Sequence, residues 1–224
     1  MAARDDLVTW PEAFLVDVYD TILTCDFEVL RRELPVIAGV EAQAWNEGYA
    51  RLGPAMGEGR LSMGQAFEQI LQACGAEPRP ELVSELVRQE RALLLESSRL
   101  FDDAIPFLQM LRSRGIMIAL VSNCVEDTRE LLSGLGVSTL ADSVVLSCEI
   151  GCSKPSAEIY QHALDQLGVA AGAAVFVDDQ PAFCAGAVAV GMKAMQIVRG
   201  ETPIAAPPTG TTIIRSLLQA EARL

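Results

Sequence analysis

Short apolar runs that alternate with helical patterns constrain the fold of this chain more than any other sequence feature. The runs stand at residues 13–16, 116–121, 144–146 and 173–177, with a fifth around 193–198. Near-continuous apolar runs of this length are typical of parallel strands that helices cover on both faces. Helical patterns are predicted at residues 101–114, 126–134, 157–167 and 181–190, with a further short helix at 212–223. This alternation predicts an α/β fold with a parallel sheet and right-handed crossovers.

Residues 25–98 interrupt this alternation, because their pattern is helical almost throughout. The helices predicted in this segment are at residues 27–34, 40–52, 62–74 and 80–96. Ser62 and Pro80 stand where helix starts are expected. We therefore predict a core domain of residues 1–24 and 99–224, with a separate all-helical domain of residues 25–98 inserted after the first strand.

Charge and composition limit the partners of the chain. Its 224 residues include 17 basic and 30 acidic side chains, which gives a formal net charge of -13. Nucleic acids and anionic membranes are bound by basic surfaces, so neither is expected as a partner. No apolar run approaches the length of a membrane-spanning helix, and the first residues are acidic where a secretory signal is basic. We expect a cytoplasmic protein, and a homodimer is one option for its oligomeric state.

The cysteines and the histidine offer little for metal binding or thiol catalysis. Six cysteines occur without a paired Cys-x-x-Cys spacing, and there is one histidine, which argues against a zinc site. Cys124 follows Asn123 directly, but no histidine partner for a thiol nucleophile is in view. Free thiols are therefore expected.

Several of the apolar runs end in polar residues that could carry chemistry. Asp17 follows the first run, Ser122-Asn123 follow the second, and Asp178-Asp179 follow the fourth. Lys154 belongs to the loop after the third run. Ligands of open α/β sheets bind outside the carboxyl ends of the strands, so we expect these side chains to converge on one crevice.

Each of these residues has an ordinary structural explanation when it is taken alone. Asp17 could cap a turn, Ser122 could be a helix N-cap, and Asp178-Asp179 could begin a solvated helix, where acids are favoured. A lone Lys154 is most often a surface lysine. The combination favours a functional site, because it places a carboxylate, a hydroxyl, a cation and an acid pair at the same end of the predicted sheet.

On these residues the chain resembles the haloacid dehalogenase (HAD) superfamily over nearly its whole length. The resemblance is carried by ordered motifs, which are Asp17-Val-Tyr-Asp-Thr21, Ser122-Asn123, Lys154-Pro155 with Tyr160, and Phe176-Val-Asp178-Asp179 with Gly186 and Gly191. It implies a Rossmann-like parallel sheet core with a helical cap domain inserted after the first motif. In this superfamily such caps close over the site and help to choose the substrate.

The resemblance also implies roles for individual residues. Asp17 would attack phosphorus to form an aspartyl-phosphate, with Ser122 and Lys154 as its catalytic partners. The substrate would be bound by Thr21, Ser122, Asn123 and Lys154. Mg²⁺ would be held by Asp17, Asp178, Asp179 and the main-chain carbonyl of Tyr19. These roles suit phosphoryl transfer, which depends on positioning and charge neutralisation, and they imply a small anionic phosphorylated substrate.

Tyr19 departs from the usual phosphatase pattern of the superfamily. An aspartate ordinarily stands at this position and serves as general acid and base. A phenol with an ordinary pKa of about 10 can donate a proton but is a poor base at pH 7. Either Tyr19 or the following Asp20 could replace the missing group, and the sequence leaves this open.

Tyr19 also leaves alternative functions open. A tyrosine here resembles the 2-haloacid dehalogenases of the same superfamily, which use no metal and have small polar residues in place of the acid pair. Asp178-Asp179 therefore favour metal-dependent phosphoryl chemistry. We predict a Mg²⁺-dependent hydrolase of a small phosphorylated metabolite. The alternatives are a 2-haloacid dehalogenase and a phosphate-binding or partner-binding protein with little turnover.

Overall fold

The computed structural model describes residues 10–200 and 207–223, and within them strands and helices alternate outside one helical segment. The strands in chain order are β1 (Ala13–Val16), β2 (Leu23–Cys25), β3 (Ser98–Leu100), β4 (Met117–Ser122), β5 (Ser143–Leu146), β6 (Ala174–Asp178), β7 (Lys193–Ile197) and β8 (Thr211–Ile214). The helices are α1 (Phe27–Ala38), α2 (Ala42–Gly57), α3 (Met63–Ala73), α4 (Pro80–Ser97), α5 (Ala104–Ser113), α6 (Thr128–Gly134), α7 (Ser147–Ile150), α8 (Ala157–Leu167) and α9 (Pro181–Val190).

A parallel sheet forms the centre of the fold, with the strand order β5-β4-β1-β6-β7-β8 among the described residues. Each neighbouring pair in this order is parallel. The α/β fold with a parallel sheet is therefore confirmed. Because β1 lies between β4 and β6, the carboxyl ends of these strands stand side by side at one edge of the sheet.

Two apolar clusters cover the two faces of the sheet. Alternate residues of a strand point to opposite faces, so β1 sends Phe14 and Val16 into one cluster and Ala13 and Leu15 into the other. All of these side chains are fully buried. Burial on both faces explains why the strands appear in the sequence as continuous apolar runs rather than as an alternating pattern.

The helices α1 to α4 lie between β2 and β3 in the chain. These short strands pair antiparallel, with Leu23 opposite Leu100 and Cys25 opposite Ser98, so the chain leaves and re-enters the sheet layer at one place. Strands of this length are too short for a sequence pattern to show them, and the ribbon was not predicted. The division into domains at residues 24–25 and 98–99 stays a prediction.

The helices of this segment run further than the sequence predicted. Helix α1 continues through Pro35 to Ala38, and α2 continues through Pro54 to Gly57. Proline inside a helix removes one main-chain hydrogen bond, and for that reason the predicted helices ended earlier. The predicted start at Ser62 agrees with a capping box, in which its side chain accepts a hydrogen bond from the N–H of Gln65.

The short helix predicted at 212–223 is wrong. Residues Thr211–Ile214 form the edge strand β8, and only 3-10 turns follow, at Leu217–Gln219 and Glu221–Arg223. The strand is built entirely from β-branched residues, which favour extended backbone. The hydroxyl of Ser216 then accepts a hydrogen bond from the N–H of Leu218 and begins the first turn. Across the described ranges, no helix combines the length and the apolar character needed to cross a membrane.

Candidate active site

The ends of three neighbouring strands bring the predicted site residues together. Asp17 follows β1, and its N–H donates to the carbonyl of Val177 at 2.9 Å, so the hydrogen-bond ladder extends to it. Ser122 is the last residue of β4, and Asp178 is the last residue of β6. All of these side chains are buried. The structure thus places a carboxylate, a hydroxyl and a second carboxylate at one edge of the sheet.

Lys154 joins this group from the loop after α7. Its side chain is buried, with 3% of the residue exposed, and its ammonium group donates to Asp17. The same nitrogen donates to Asp178 Oδ2 at 2.6 Å and to the carbonyl of Val121 at 3.2 Å. The ammonium group therefore bridges the carboxylates of β1 and β6.

Asn123 fixes the main chain of the lysine. Its Oδ1 accepts a hydrogen bond from the N–H of Lys154 at 2.7 Å, and its Nδ2 donates to the carbonyl of Lys154 at 2.9 Å. Both ends of the amide are therefore engaged by the backbone of one residue. The role of Asn123 in substrate binding stays a prediction, and the structure shows that its side chain positions Lys154.

The loop that carries Lys154 also packs tightly against α9. The hydroxyl of Tyr160 donates to the carbonyl of Phe183 at 2.7 Å. A Cβ atom added at Gly186 would lie 2.9 Å from Pro155 and from the Tyr160 hydroxyl, so only glycine fits at this position. These contacts hold the loop between α7 and α8 in place.

The cluster contains more acidic than basic side chains. Burial opposes the charged form of Lys154, but the carboxylates of Asp17 and Asp178 raise its pKa above the ordinary value, so it stays an ammonium group. Burial and then the charge of Asp17 raise the pKa of Asp178 to about 8 and that of Asp179 to about 6. Three carboxyl groups thus crowd around one lysine, and a further cation would relieve their repulsion.

These carboxylates fit a hard divalent cation. Asp17, Asp178 and Asp179 each offer a carboxylate oxygen, and the three atoms lie within 4.8 Å of one another. Mg²⁺ prefers oxygen ligands and is often bound by one or two carboxylates together with substrate phosphate and water. The main chain also orients the ligands, because the N–H of Gln180 donates to Asp178 Oδ1 at 2.7 Å.

Two hydroxyl groups of the predicted site are buried. Thr21 is fully buried, and its Oγ1 has no hydrogen-bond partner among residues 10–200 and 207–223. Ser122 is also fully buried, and its hydroxyl donates over a long distance of 3.5 Å to the carbonyl of Asn123. A buried hydroxyl without a strong partner is free to donate to an incoming oxyanion.

Tyr19 is partly buried among its neighbours. Its hydroxyl hydrogen-bonds the Thr128 hydroxyl at 3.1 Å, and its ring packs against Phe27 with centroids 5.6 Å apart. Burial raises the pKa of Tyr19 far above the ordinary value of 10.0, so the phenol stays protonated. The neighbouring Asp20 is exposed, adopts a φ of +56°, and accepts a hydrogen bond from Thr24 at 3.3 Å.

Sequence reasoning missed the supports of the loop after β1. Arg199 donates to the carbonyl of Thr21 at 2.5 Å and to Asp103 at 2.8 Å. Asp103 in turn accepts from the hydroxyl of Ser216 at 2.7 Å. Arg199 and Asp103 are about a hundred residues apart, so no local pattern could have paired them. Thr128, which holds the Tyr19 hydroxyl, lies in the helix predicted at residues 126–134, and that pattern does not pair it with Tyr19.

A cleft opens beside the site between the end of α2 and the loops after β4 and β5. Its volume is about 330 Å³. Gly57 and Glu58 line one wall, and Asn123, Cys124 and Ser153 line the other. Asn123 and Ser153 are sequence neighbours of Ser122 and Lys154, so the cleft reaches the edge of the carboxylate cluster.

Comparison with known proteins gives matches over most of the chain. The family model for haloacid dehalogenase-like hydrolases matches residues 11–191. A phosphoserine phosphatase of Thermus thermophilus is 33% identical over 165 residues, which cover 70% of this chain and 64% of that protein, slightly less than two thirds of its length. A glyceraldehyde 3-phosphate phosphatase of Methanopyrus kandleri is 31% identical over 198 residues, which cover 85% of each chain.

Solved structures share the same architecture. A 2-haloacid dehalogenase from Pseudomonas syringae pv. Tomato DC3000 superposes with a TM-score of 0.75 at 21% identity, covering 95% of this chain and 97% of that one. At this level of identity the likeness shows the fold alone.

Proposed function

The chain belongs to the haloacid dehalogenase-like hydrolases, and from this premise we propose that it is a Mg²⁺-dependent hydrolase of a small phosphorylated metabolite with Asp17 as the nucleophile. The observation that carries the proposal is the buried Lys154 ammonium group between Asp17 and Asp178, with Asp179 beside them. The names of the two phosphatase relatives support phosphate ester hydrolysis over other chemistry of the family.

Asp17 has the surroundings of a nucleophile for phosphorus. An oxygen of its carboxylate would attack the phosphorus atom, the bond to the leaving oxygen would break, and the phosphoryl group would stay on Asp17 as an acyl phosphate. Lys154 contacts this carboxylate and would offset the negative charge that gathers as the phosphoryl oxygens approach. Water would then attack the acyl phosphate and release inorganic phosphate.

The phosphoryl oxygens would be received by groups that are already in place. The buried hydroxyls of Thr21 and Ser122 would donate to them. Asn123 holds the backbone of Lys154, so the lysine would not need to reorganise during the reaction. Mg²⁺, held by Asp17, Asp178, Asp179 and the Tyr19 carbonyl, would supply further neutralisation of the phosphoryl charge.

Tyr19 occupies the position of the usual acid–base carboxylate. Its raised pKa makes the phenol a weak proton donor to the leaving oxygen, and because it stays protonated it cannot activate water as a base. Substrates whose leaving groups need no protonation should therefore react faster. We further propose that hydrolysis of the acyl phosphate is slow compared with its formation.

Residues 25–98 would act as the cap over this site. The hydroxyl of Ser147, next to the cleft, donates to the carbonyl of Gly57 at 2.5 Å, and Glu126 accepts from the N–H of Met63 at 2.9 Å. These bonds join the helical segment to the loops after β4 and β5. Movement of the segment would open or close the cleft to the substrate, and the residues at its rim would select the substrate.

The test is release of nitrophenol from p-nitrophenyl phosphate by the purified protein with Mg²⁺ or with EDTA. Wild-type protein should be active with Mg²⁺ and inactive with EDTA, and Asp17→Asn should be inactive in both. Asp102→Asn changes an exposed aspartate in the same way and should keep wild-type activity. The proposal would be refuted by turnover in EDTA or by activity of the Asp17→Asn variant.

Tyr19 favours one second candidate, a 2-haloacid dehalogenase in which Asp17 would displace halide from carbon. Chloride release from 2-chloropropionate in EDTA is the discriminating assay. The acid pair Asp178-Asp179 argues against this reaction, because its carboxylates would repel an anionic haloacid and Asp178 already engages Lys154. A protein that binds phosphate but shows no turnover in either assay would instead support a binding role.

A further inference from the structure

Cys124 and Cys148 stand at the ends of neighbouring strands. Strands β4 and β5 pair in parallel, and Ser122 opposite Leu146 is their last pair. Each cysteine lies two residues beyond its strand. The backbones remain adjacent there, because Ser147 Oγ accepts a hydrogen bond from the N–H of Cys124 at 3.0 Å. Neighbouring strands are about 4.8 Å apart, which is within the Cα separation that a disulfide requires.

The two cysteines belong to adjoining backbones, because the Ser147 hydroxyl, next to Cys148, also donates to the Cys124 carbonyl at 3.3 Å. Interaction with the Cys148 thiol holds the pKa of Cys124 below its ordinary value, and the same interaction raises the pKa of Cys148. In such a pair one sulfur is the better nucleophile and the other is its protonated neighbour. Neither cysteine has a role in the proposed hydrolysis.

The pair lies where a small molecule and the helical segment both reach it. Cys124 lines the cleft of about 330 Å³. Gly59, at a φ of +65°, sits directly on Cys148, because a Cβ atom there would lie 1.9 Å from the Cys148 carbonyl oxygen. The turn after α2 therefore packs against Cys148. Cys124 directly follows Asn123, whose side chain hydrogen-bonds the backbone of Lys154.

We propose that Cys124 and Cys148 are a reversible redox pair, which closes to a disulfide by exchange with a small-molecule disulfide and thereby lowers hydrolytic activity. A disulfide between the two sulfurs would shift the backbone of Asn123 and Cys124. It would also shift the Cys148 backbone against which the turn after α2 packs. The claim about activity rests on the proposed function, whereas the disulfide itself does not.

The exchange balances with glutathione disulfide as the oxidant. The Cys124 thiolate attacks one sulfur of glutathione disulfide, the sulfur–sulfur bond breaks, and one glutathione thiolate leaves. Cys148 then loses its proton and attacks the Cys124 sulfur of the mixed disulfide, displacing the second glutathione. Two protein thiols are oxidised by two electrons in total, and glutathione disulfide is reduced to two thiols.

The first experiment maps the disulfide. The folded protein is treated with glutathione disulfide, free thiols are blocked with N-ethylmaleimide, and non-reduced peptides are identified by mass spectrometry. The six free thiols should fall to four, with one linked peptide pair containing Cys124 and Cys148, and dithiothreitol should reverse this. Cys148→Ser should abolish the link, and Cys74→Ser should not. The proposal would be overturned if all six thiols remained free, if glutathione stayed attached to Cys124, or if the disulfide joined other cysteines.

The second experiment measures the consequence of oxidation. Hydrolysis of p-nitrophenyl phosphate by the oxidised protein should fall by about tenfold to a hundredfold, as expected when a positioning group moves by about an ångström, and should recover with dithiothreitol. Cys148→Ser should show no such loss on oxidation. A mapped disulfide with unchanged activity would overturn the switch. If the reduced protein is inactive, the proposed function fails. Hydrogen exchange of residues 57–61 is then compared between the oxidised and reduced protein. A difference in exchange supports the redox switch, and equal exchange overturns it.

Discussion

Glu90 on α4 provides a prediction whose magnitude follows from the structure. The residue is 1% exposed, and burial followed by the charge of Asp127 raises its pKa to about 8. Glu90 Oε2 and Asp127 Oδ2 are both buried without a hydrogen-bond partner among the described residues, whereas Asp127 Oδ1 accepts from Arg91 Nε at 2.9 Å. At neutral pH Glu90 keeps its proton and so offers a donor to Asp127, which precedes α6.

The pH dependence of this contact has a defined sign. In the unfolded chain Glu90 loses its proton near pH 4.5, whereas in the folded protein it does so near pH 8. The folded state thus binds more protons across this interval, so this group's stabilising contribution is fully present below pH 4.5 and is lost as the pH rises to about 8. The full loss corresponds to about 5 kcal/mol as an upper limit.

Glu90→Gln removes the titration and keeps a donor for Asp127. The variant should therefore be more stable than wild type at pH 9 by about 1–3 kcal/mol, and should match it within about 1 kcal/mol at pH 5. Urea unfolding at several pH values between 5 and 9 measures both quantities. The matched control is Glu96→Gln, which alters an exposed glutamate of the same helix and should follow the wild-type curve. A glutamine variant that is less stable than wild type at pH 9 would refute the reasoning.

Three further substitutions test other parts of the account. Tyr19→Asp should raise kcat for alkyl phosphates by about tenfold or more, because a carboxylate there can serve as acid and base; steady-state kinetics that show no gain would mean that Tyr19 is not limiting. Lys154→Met should lower the free energy of unfolding by about 3–5 kcal/mol in urea titrations, because two buried carboxylates lose their cation; a smaller loss than about 1 kcal/mol would contradict the ion bridge. Gly59→Ala should lower the Tm more than Gly39→Ala does, because both glycines have positive φ but only Gly59 lies against another backbone; equal shifts would show that the turn does not depend on this contact.

The sequence was sufficient to predict the parallel sheet. Its buried strands consist of continuous apolar residues, and this pattern depends on local composition alone. The ribbon of β2 and β3 escaped prediction because each strand has three residues and gains its structure from the other. Most of strand β8 was mistaken for the start of a helix. Its β-branched residues favour extended backbone, but its pairing with β7 is a tertiary contact that no local pattern reveals.

The candidate site was predictable where it depends on topology and not where it depends on packing. Asp17 follows β1, while Ser122 and Asp178 end β4 and β6, and parallel strands bring their ends together whatever the side chains are. The bond between Tyr19 and Thr128, in contrast, requires a particular placement of α6 beside the loop after β1. The roles assigned to these residues stay predictions.

Capture of the phosphoryl group on Asp17 tests the central claim most directly. The protein is mixed with acetyl phosphate carrying labelled phosphorus, quenched in acid within one turnover, and digested. The label should appear in the peptide that contains Asp17, and its incorporation should require Mg²⁺. Hydroxylamine should release it, as expected of an acyl phosphate. The Asp17→Asn variant should carry no label. Hydrolysis of the substrate with no label on this peptide, or with label on another residue, would contradict the account.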